Sequence, residues 1–245
     1  MITPNGPDPH GSIPGEAAEA GRAAAPVNIA CFTLLSLGDS YTVGEGVPIY
    51  GSFPYQAVQL LRAAGHAFSA PEIVARTGWT SAELLEGLGD TKLLPSYDFV
   101  TLLIGVNNEY RGRSLSEYEL EFGRLLRLAI GLGRQDPLRV FVLSIPDWSV
   151  TPFAGSHLPD AAGRDREAVA GEIDAFNAAG ARIAGEQGVA FIDITGHTRG
   201  HGREPEEWLA ADLLHPSGRE YRYWAEQVCA GVRERIGQGL GSMGQ

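Results

Sequence analysis

The chain has 245 residues, 44% of them hydrophobic and 20% charged, which is ample for a packed core in one large domain or two small ones. Its 30 acidic against 19 basic residues give a formal charge of −11 and argue against nucleic acid or anionic membrane surfaces as partners. No run of about 18 apolar residues is present to span a bilayer, and no C-x-x-C or H-E-x-x-H pattern suggests a zinc site.

Residues 1–26 read as a disordered tail, since nine of them are Pro or Gly and the rest offer little to bury. They do not read as a signal peptide, because Asp8, Glu16 and Glu19 precede the lone Arg22, and a cytoplasmic location is expected. The first strand is predicted over Ile29–Leu37. It breaks at Gly38-Asp39-Ser40 into a loop that ends near Ser52. A helix follows over Pro54–Ala64, with Pro54 well placed at its start. Glu72–Ala75 is a short second strand that runs into Thr77-Gly78-Trp79-Thr80, and Ser81–Leu88 is a second helix. The most apolar strand is Asp98–Ile104, ending at Gly105-Val106-Asn107-Asn108.

The third helix opens on a capping box, Ser114 with Glu117, and keeps Tyr118, Phe122, Leu125, Leu126, Ala129 and Leu132 on one face. Arg139–Ile145 is a fourth strand, and a long loop from Pro146 to about Gly163 follows. A fourth helix is marked by Val169, Ile173, Phe176, Gly180 and Ile183, and Val189–Ile192 is the fifth strand. After another long segment that reaches Asp212–Pro216, a capping box of Ser217 with Glu220 opens the last helix, which buries Tyr221, Trp224, Val228, Val232 and Ile236. Residues 27–237 thus form one domain, with 238–245 a frayed tail. Alternating strands and helices predict a three-layer α/β/α sandwich around a five-stranded parallel sheet of order 2-1-3-4-5. Cys31, starting a strand, and Cys229, on an apolar helix face, are expected to be buried free thiols.

Every polar landmark follows a strand end, and in a parallel sheet those ends share one rim. Ser40 follows the first strand, Gly78 the second and Asn107 the third, while Asp212 and His215 come after the fifth. The fifth strand lies three steps from the first, roughly 14 Å at sheet spacing, which the segment from Ile194 to Ala211 can bridge. A serine hydroxyl needs a base to become a nucleophile, and a histidine needs an acceptor on its second nitrogen to fix its tautomer. Ser40, His215 and Asp212 supply those three parts. The Ser40 and Gly78 N–H groups and the Asn107 amide can serve as oxyanion donors.

Gly38-Asp39-Ser40, the Gly78 of T-G-W-T, Gly105-Val106-Asn107-Asn108 and Asp212-x-x-His215 resemble the four blocks of the SGNH (GDSL-type) hydrolases. The resemblance runs through nearly the whole globular region. It implies a flavodoxin-like fold and a serine esterase or acyl hydrolase without a cofactor or metal. Catalysis would fall to Ser40, Asp212 and His215, with Ser40, Gly78 and Asn107 as the oxyanion hole. Tyr41 stands where that family has Leu, and Asn108 where Asp is usual.

Tyr110, Trp148 and Phe153, in the loops after strands three and four, are expected to line the substrate pocket or pack their loops. The absence of a long apolar lid favours a small-molecule ester with a short acyl chain. A carbohydrate deacetylase, a lysophospholipase or a thioesterase fits the same residues. A non-catalytic ligand-binding module on this fold has no need of an aligned base and nucleophile, and a metal-dependent phosphoesterase would need more acidic ligands. His197 and His201 are spaced for a metal but lack accompanying ligands, so both read as loop residues. The Gly-rich Gly239-x-Gly241-x-x-Gly244 follows no strand and carries no dinucleotide reading.

Overall fold

The apolar runs of the sequence become the centre of the sheet. The structure, a computed structural model, describes residues 31–160, 162–201 and 204–240. The N-terminal tail, the first two residues of the predicted first strand and residues 241–245 lie outside the described residues. Five parallel strands, β1 (Leu34–Gly38), β2 (Glu72–Ala75), β3 (Phe99–Leu103), β4 (Val140–Leu143) and β5 (Ala190–Ile192), lie in the order β2-β1-β3-β4-β5. This is the predicted order. β1, β3 and β4 are buried at every position, as central parallel strands covered on both faces must be, whereas β2 and β5 are half-buried edges. The two polar residues inside the central pair satisfy one another, with Thr101 Oγ1 donating to Ser36 Oγ at 2.8 Å.

The β1–β2 connection holds α1 (Ser40–Val43) and α2 (Phe53–Ala63). α3 (Ser81–Asp90) leads to β3, and α4 (Val106–Tyr110) and α5 (Leu115–Leu132) lead to β4. Both predicted ends of this region are capped. Ser114 and Glu117 form the expected box, and Thr80 with Glu83 forms another at α3. Beyond β4 come α6 (Pro152–His157) and α7 (Arg166–Glu186), and beyond β5 come α8 (Thr195–His201), α9 (Pro205–Trp208) and α10 (Gly218–Arg235). Helices α2 and α10 pack together on one side of the sheet, and α5 packs between α3 and α7 on the other. Trp224 of α10 is fully buried against Tyr41, Phe53 and Tyr221. A fully buried side chain of the Leu or Phe class in such a core is worth roughly 1.5–3 kcal/mol.

Four expectations need correction. Glu220 does not close a capping box with Ser217. Its buried carboxylate instead accepts from the Trp224 indole one turn along the same helix at 2.8 Å and lies 2.8 Å from His197 Nδ1 of α8. Ser217 alone caps α10 by accepting from the Arg219 and Glu220 N–H groups. Cys229 is buried as expected, but Cys31 is exposed. Its neighbour Phe32 turns inward onto Phe68 and Phe99, so strand alternation points Cys31 outward. The segment from Pro146 to Gly163 is not a plain loop, because it carries a 3-10 turn at Trp148–Val150 and α6, capped by Asp147 and Thr151. His197 and His201 sit on α8, not in a solvated loop, with the His197 ring stacked 3.7 Å from Tyr223.

Candidate active site

β1 ends at Gly38, a position that has no room for a side chain because a Cβ would run into Thr42 Oγ1 and the Leu103 carbonyl. The chain then turns through Asp39, whose extended backbone (φ −126°, ψ −150°) and carboxylate cap α1 by accepting from the Tyr41 N–H at 3.0 Å. Ser40 is the first residue of that four-residue helix, with its hydroxyl at the sheet rim. Asp39 is fully buried, and its Oδ2 has no hydrogen-bond partner among the described residues. Burial pushes its carboxyl up to about 7, against the lowering effect of the Tyr41 N–H.

The other half of the reactive group comes from a loop pinned at its base. Leu209 and Pro216 form an antiparallel bridge, and the Ala210 N–H donates to the His215 carbonyl at 2.7 Å. Within it, Leu213 takes a left-handed conformation (φ 61°), a strained choice for a branched residue. That turn lets Asp212 Oδ1 accept from the Leu214 and His215 N–H groups at 3.0 and 2.9 Å. Asp212 Oδ2 lies 2.6 Å from His215 Nδ1, and His215 Nε2 lies 3.0 Å from Ser40 Oγ. A carboxylate on Nδ1 holds that nitrogen protonated and leaves Nε2 as an acceptor facing the hydroxyl. Partial burial raises the Asp212 carboxyl, but the bonds from His215 and the two backbone N–H groups outweigh it and hold the pKa below its ordinary value. Tyr41 packs its ring 5.5 Å from the His215 imidazole and 6.0 Å from Trp224, so the Tyr at this position ties the histidine to the core.

Gly78 and Asn107 face Ser40 and His215 across a pocket of about 210 Å³. Gly78 has φ 82°, a conformation that favours glycine, and Arg111 holds its carbonyl. Asn107 donates one amide N–H to the Trp79 carbonyl at 3.0 Å, and a primary amide carries a second. Asn108 turns the other way. It is fully buried, accepts from the Ser81 N–H at 2.9 Å and donates to Ser81 Oγ at 2.7 Å, fastening α4 to the start of α3.

Tyr110, Trp148 and Phe153 all line this pocket. Asp212 does not, because it sits behind His215. The sequence reading missed Tyr41, Thr77, Val106 and Leu214 in the lining, although all four adjoin a recognised residue and adjacency alone would have found them. It also missed Glu109, which is buried beneath Trp148 and accepts from its indole N–H at 2.8 Å. Burial is the largest influence on that carboxyl and raises its pKa, while the Trp148 indole and Arg164 pull it down. Among the described residues no group of three or more His, Cys, Asp or Glu side chains is placed to hold a metal, and no helix is long and apolar enough to cross a membrane.

A family model for the GDSL-like lipase/acylhydrolase family matches residues 36–223, a span that takes in Ser40, Gly78, Asn107, Asp212 and His215. The chain belongs to this family. Solved structures of GDSL-type hydrolases share its fold. A lipase/acylhydrolase from Enterococcus faecalis is 19% identical, with 84% of this chain and 96% of that one covered and a TM-score of 0.63. The acetyl xylan esterase AlAXEase is 16% identical over 82% of this chain and all 100% of its own, also at 0.63. The psychrotrophic esterase EstA from Pseudoalteromonas sp., solved inhibited by monoethylphosphonate, is 13% identical over 84% and 98%, at 0.62. No curated protein sequence matches the chain. Family membership makes this GDSL-family protein a hydrolase acting on esters.

Proposed function

We propose that this protein is a serine esterase that cleaves a small carboxylic ester, with a short acyl chain, through an acyl-enzyme on Ser40. The observation that carries the reading is the continuous path Asp212–His215–Ser40, with spacings of 2.6 and 3.0 Å, opening onto one pocket. Ser40 Oγ attacks the ester carbonyl while His215 Nε2 takes its proton, and Asp212 stabilises the imidazolium that forms. The Ser40 and Gly78 N–H groups and the free N–H of Asn107 donate to the developing oxyanion. Collapse of the tetrahedral intermediate breaks the bond to the alcohol, which leaves with the proton from His215. Water, deprotonated by the same nitrogen, then attacks the acyl-enzyme and releases the acid.

The short-chain preference rests on the partition that Tyr110 and Trp148 put at the edge of the pocket of about 210 Å³ and on the lack of a long apolar lid in the sequence. A p-nitrophenyl ester series tests substrate range, and an alkyl phosphonate tests the nucleophile. The phosphonate should form one covalent adduct at Ser40, located by peptide mass spectrometry, and Ser40→Ala should abolish both adduct and turnover. Labelling of a different serine, or turnover surviving in Ser40→Ala, would overturn the assignment.

A further inference from the structure

A second cavity of about 460 Å³ lies beside the first, and Tyr110 and Trp148 belong to the walls of both. These two rings are therefore the partition between them. Tyr110 stands edge-on to Trp148, with centroids 5.5 Å apart at 74°. Trp148 is buried and Tyr110 half exposed, so the inner ring is fixed by the protein and the outer ring leans on it.

What fixes the inner ring is a buried ion pair. Glu109 Oε2 accepts the Trp148 indole N–H at 2.8 Å, and its Oε1 accepts from Arg164 Nη1 at 2.8 Å. Arg164 also donates to the backbone carbonyls of Glu109 and Tyr110, at 3.3 and 3.4 Å. Its own position is set by Asp160 at 2.7 Å and Glu172 at 2.6 Å, both on the rim of the second cavity. One guanidinium thus grips the residue that anchors Trp148 and the backbone that carries Tyr110. A carboxylate buried at this depth is costly, and an apolar side chain of similar size could fill the space. The indole anchor and the guanidinium clamp need the carboxylate.

We propose that Glu109 and Arg164 are positioning residues that hold the Trp148–Tyr110 partition in place, and that the partition sets the length of the substituent the active-site pocket accepts. The inference rests on the esterase reading above. Loosening the partition should let longer chains pass into the second cavity, so selectivity should change more than chemistry does.

The test compares p-nitrophenyl acetate with p-nitrophenyl hexanoate in Glu109→Gln, Arg164→Met, Arg164→Lys and Trp148→Phe, with melting temperatures alongside. Glu109→Gln keeps an oxygen for the indole but turns an N–H toward Arg164. Trp148→Phe keeps an aromatic ring but removes the indole N–H bond and shortens the partition by one fused ring. The ratio of kcat/KM for hexanoate over acetate should rise roughly tenfold in Glu109→Gln, Arg164→Met and Trp148→Phe, about the discrimination carried by one methylene in an apolar pocket. In Glu109→Gln and Arg164→Met the change should come through KM, with kcat on acetate within about twofold. Arg164→Lys, which keeps the charge but not the fork, should recover part of the wild-type ratio.

A merely structural network would lower melting temperatures and leave the ratio unchanged, and that result overturns the proposal. Equal losses of kcat on both esters overturn it too, as does failure of all four variants to fold. A wild-type protein that turns over no ester in the series and takes no phosphonate on Ser40 would instead sink the esterase reading, and the inference with it.

Discussion

The loop Asp212–His215 and helix α4 face each other across the pocket and are held by opposite means. Apart from the single bond to Ser40, the side-chain bonds that shape the loop span two or three residues. In α4 four successive residues each reach a distant part of the chain. Asn107 bonds to Trp79, 28 positions away, and Asn108 to Ser81, 27 away. Glu109 bonds to Trp148 and Arg164, 39 and 55 away, and the Tyr110 carbonyl accepts from Arg164. The loop carries its own geometry, whereas α4 takes its geometry from four neighbours. A change in the loop should act on chemistry with little effect on folding, whereas changes in α4 should divide between chemistry, selectivity and folding according to the residue.

The largest effect should come from the loop. Asp212→Asn keeps the size of the side chain and an acceptor for the two backbone N–H groups, but its amide favours the wrong imidazole tautomer. A loss of about 10⁴ in kcat is expected, with a melting temperature close to wild type. Comparable losses in melting temperature and kcat would show that the loop is not self-contained.

The paired asparagines of α4 sharpen the contrast. Asn107→Ala should lower kcat by roughly 10² to 10³ with little change in KM, as loss of one oxyanion donor does. Asn108→Ala leaves the buried Ser81 N–H without its acceptor, while the Ser81 hydroxyl keeps Glu121, so melting temperature should drop with a smaller loss of rate. Asn108→Asp should also be destabilising here, because the Asn108 amide lies 3.4 Å from Glu121 Oε2 and an aspartate would set two carboxylates together. Kinetics and melts of all three variants on one ester decide the matter. A greater kcat loss in folded Asn108→Ala than in Asn107→Ala would exchange the two roles.

The smallest effect concerns Asp39, another locally held residue. Its pKa in the folded protein, about 7, stands above the ordinary 3.8, so the stability it contributes is fully present below about pH 4 and is lost as pH rises through 7. Asn cannot titrate but can keep the Tyr41 bond. The melting temperature of Asp39→Asn relative to wild type should therefore rise between pH 5 and pH 8. A difference that stays flat, or moves the other way, would show that Asp39 does not titrate in this window.

What the sequence disclosed follows the same division. Strand order was legible because central parallel strands must be apolar throughout, and Leu34–Gly38, Phe99–Leu103 and Val140–Leu143 are. Ser40, Gly78, Asn107 and His215 converge on one pocket because each follows a strand end or sits on a short motif. Glu109 was not legible. A glutamate after two asparagines has no local signature, and its partners, Trp148 and Arg164, arrive through tertiary packing. Glu220 misled because its spacing from Ser217 fits a capping box, yet Trp224, one turn along the same helix, and His197 of α8 claim the carboxylate. Cys31 went wrong by one residue of alternation, fixed only when Phe32 meets Phe68.

His215 comes 175 residues after Ser40, and the two ends of the fold are fastened where Gln56 of α2 donates to the Gly218 carbonyl at the head of α10. On the proposed esterase reading, the nucleophile emerges early in synthesis and its base late, so a nascent chain would hold an inert serine through most of its translation. Hydrolytic competence is thus acquired in one late step, when α10 docks beside α2 and carries His215 to the rim. A ribosome-bound chain stalled before that step should have a serine that no phosphonate labels, and the first appearance of labelling would time the closing of the fold.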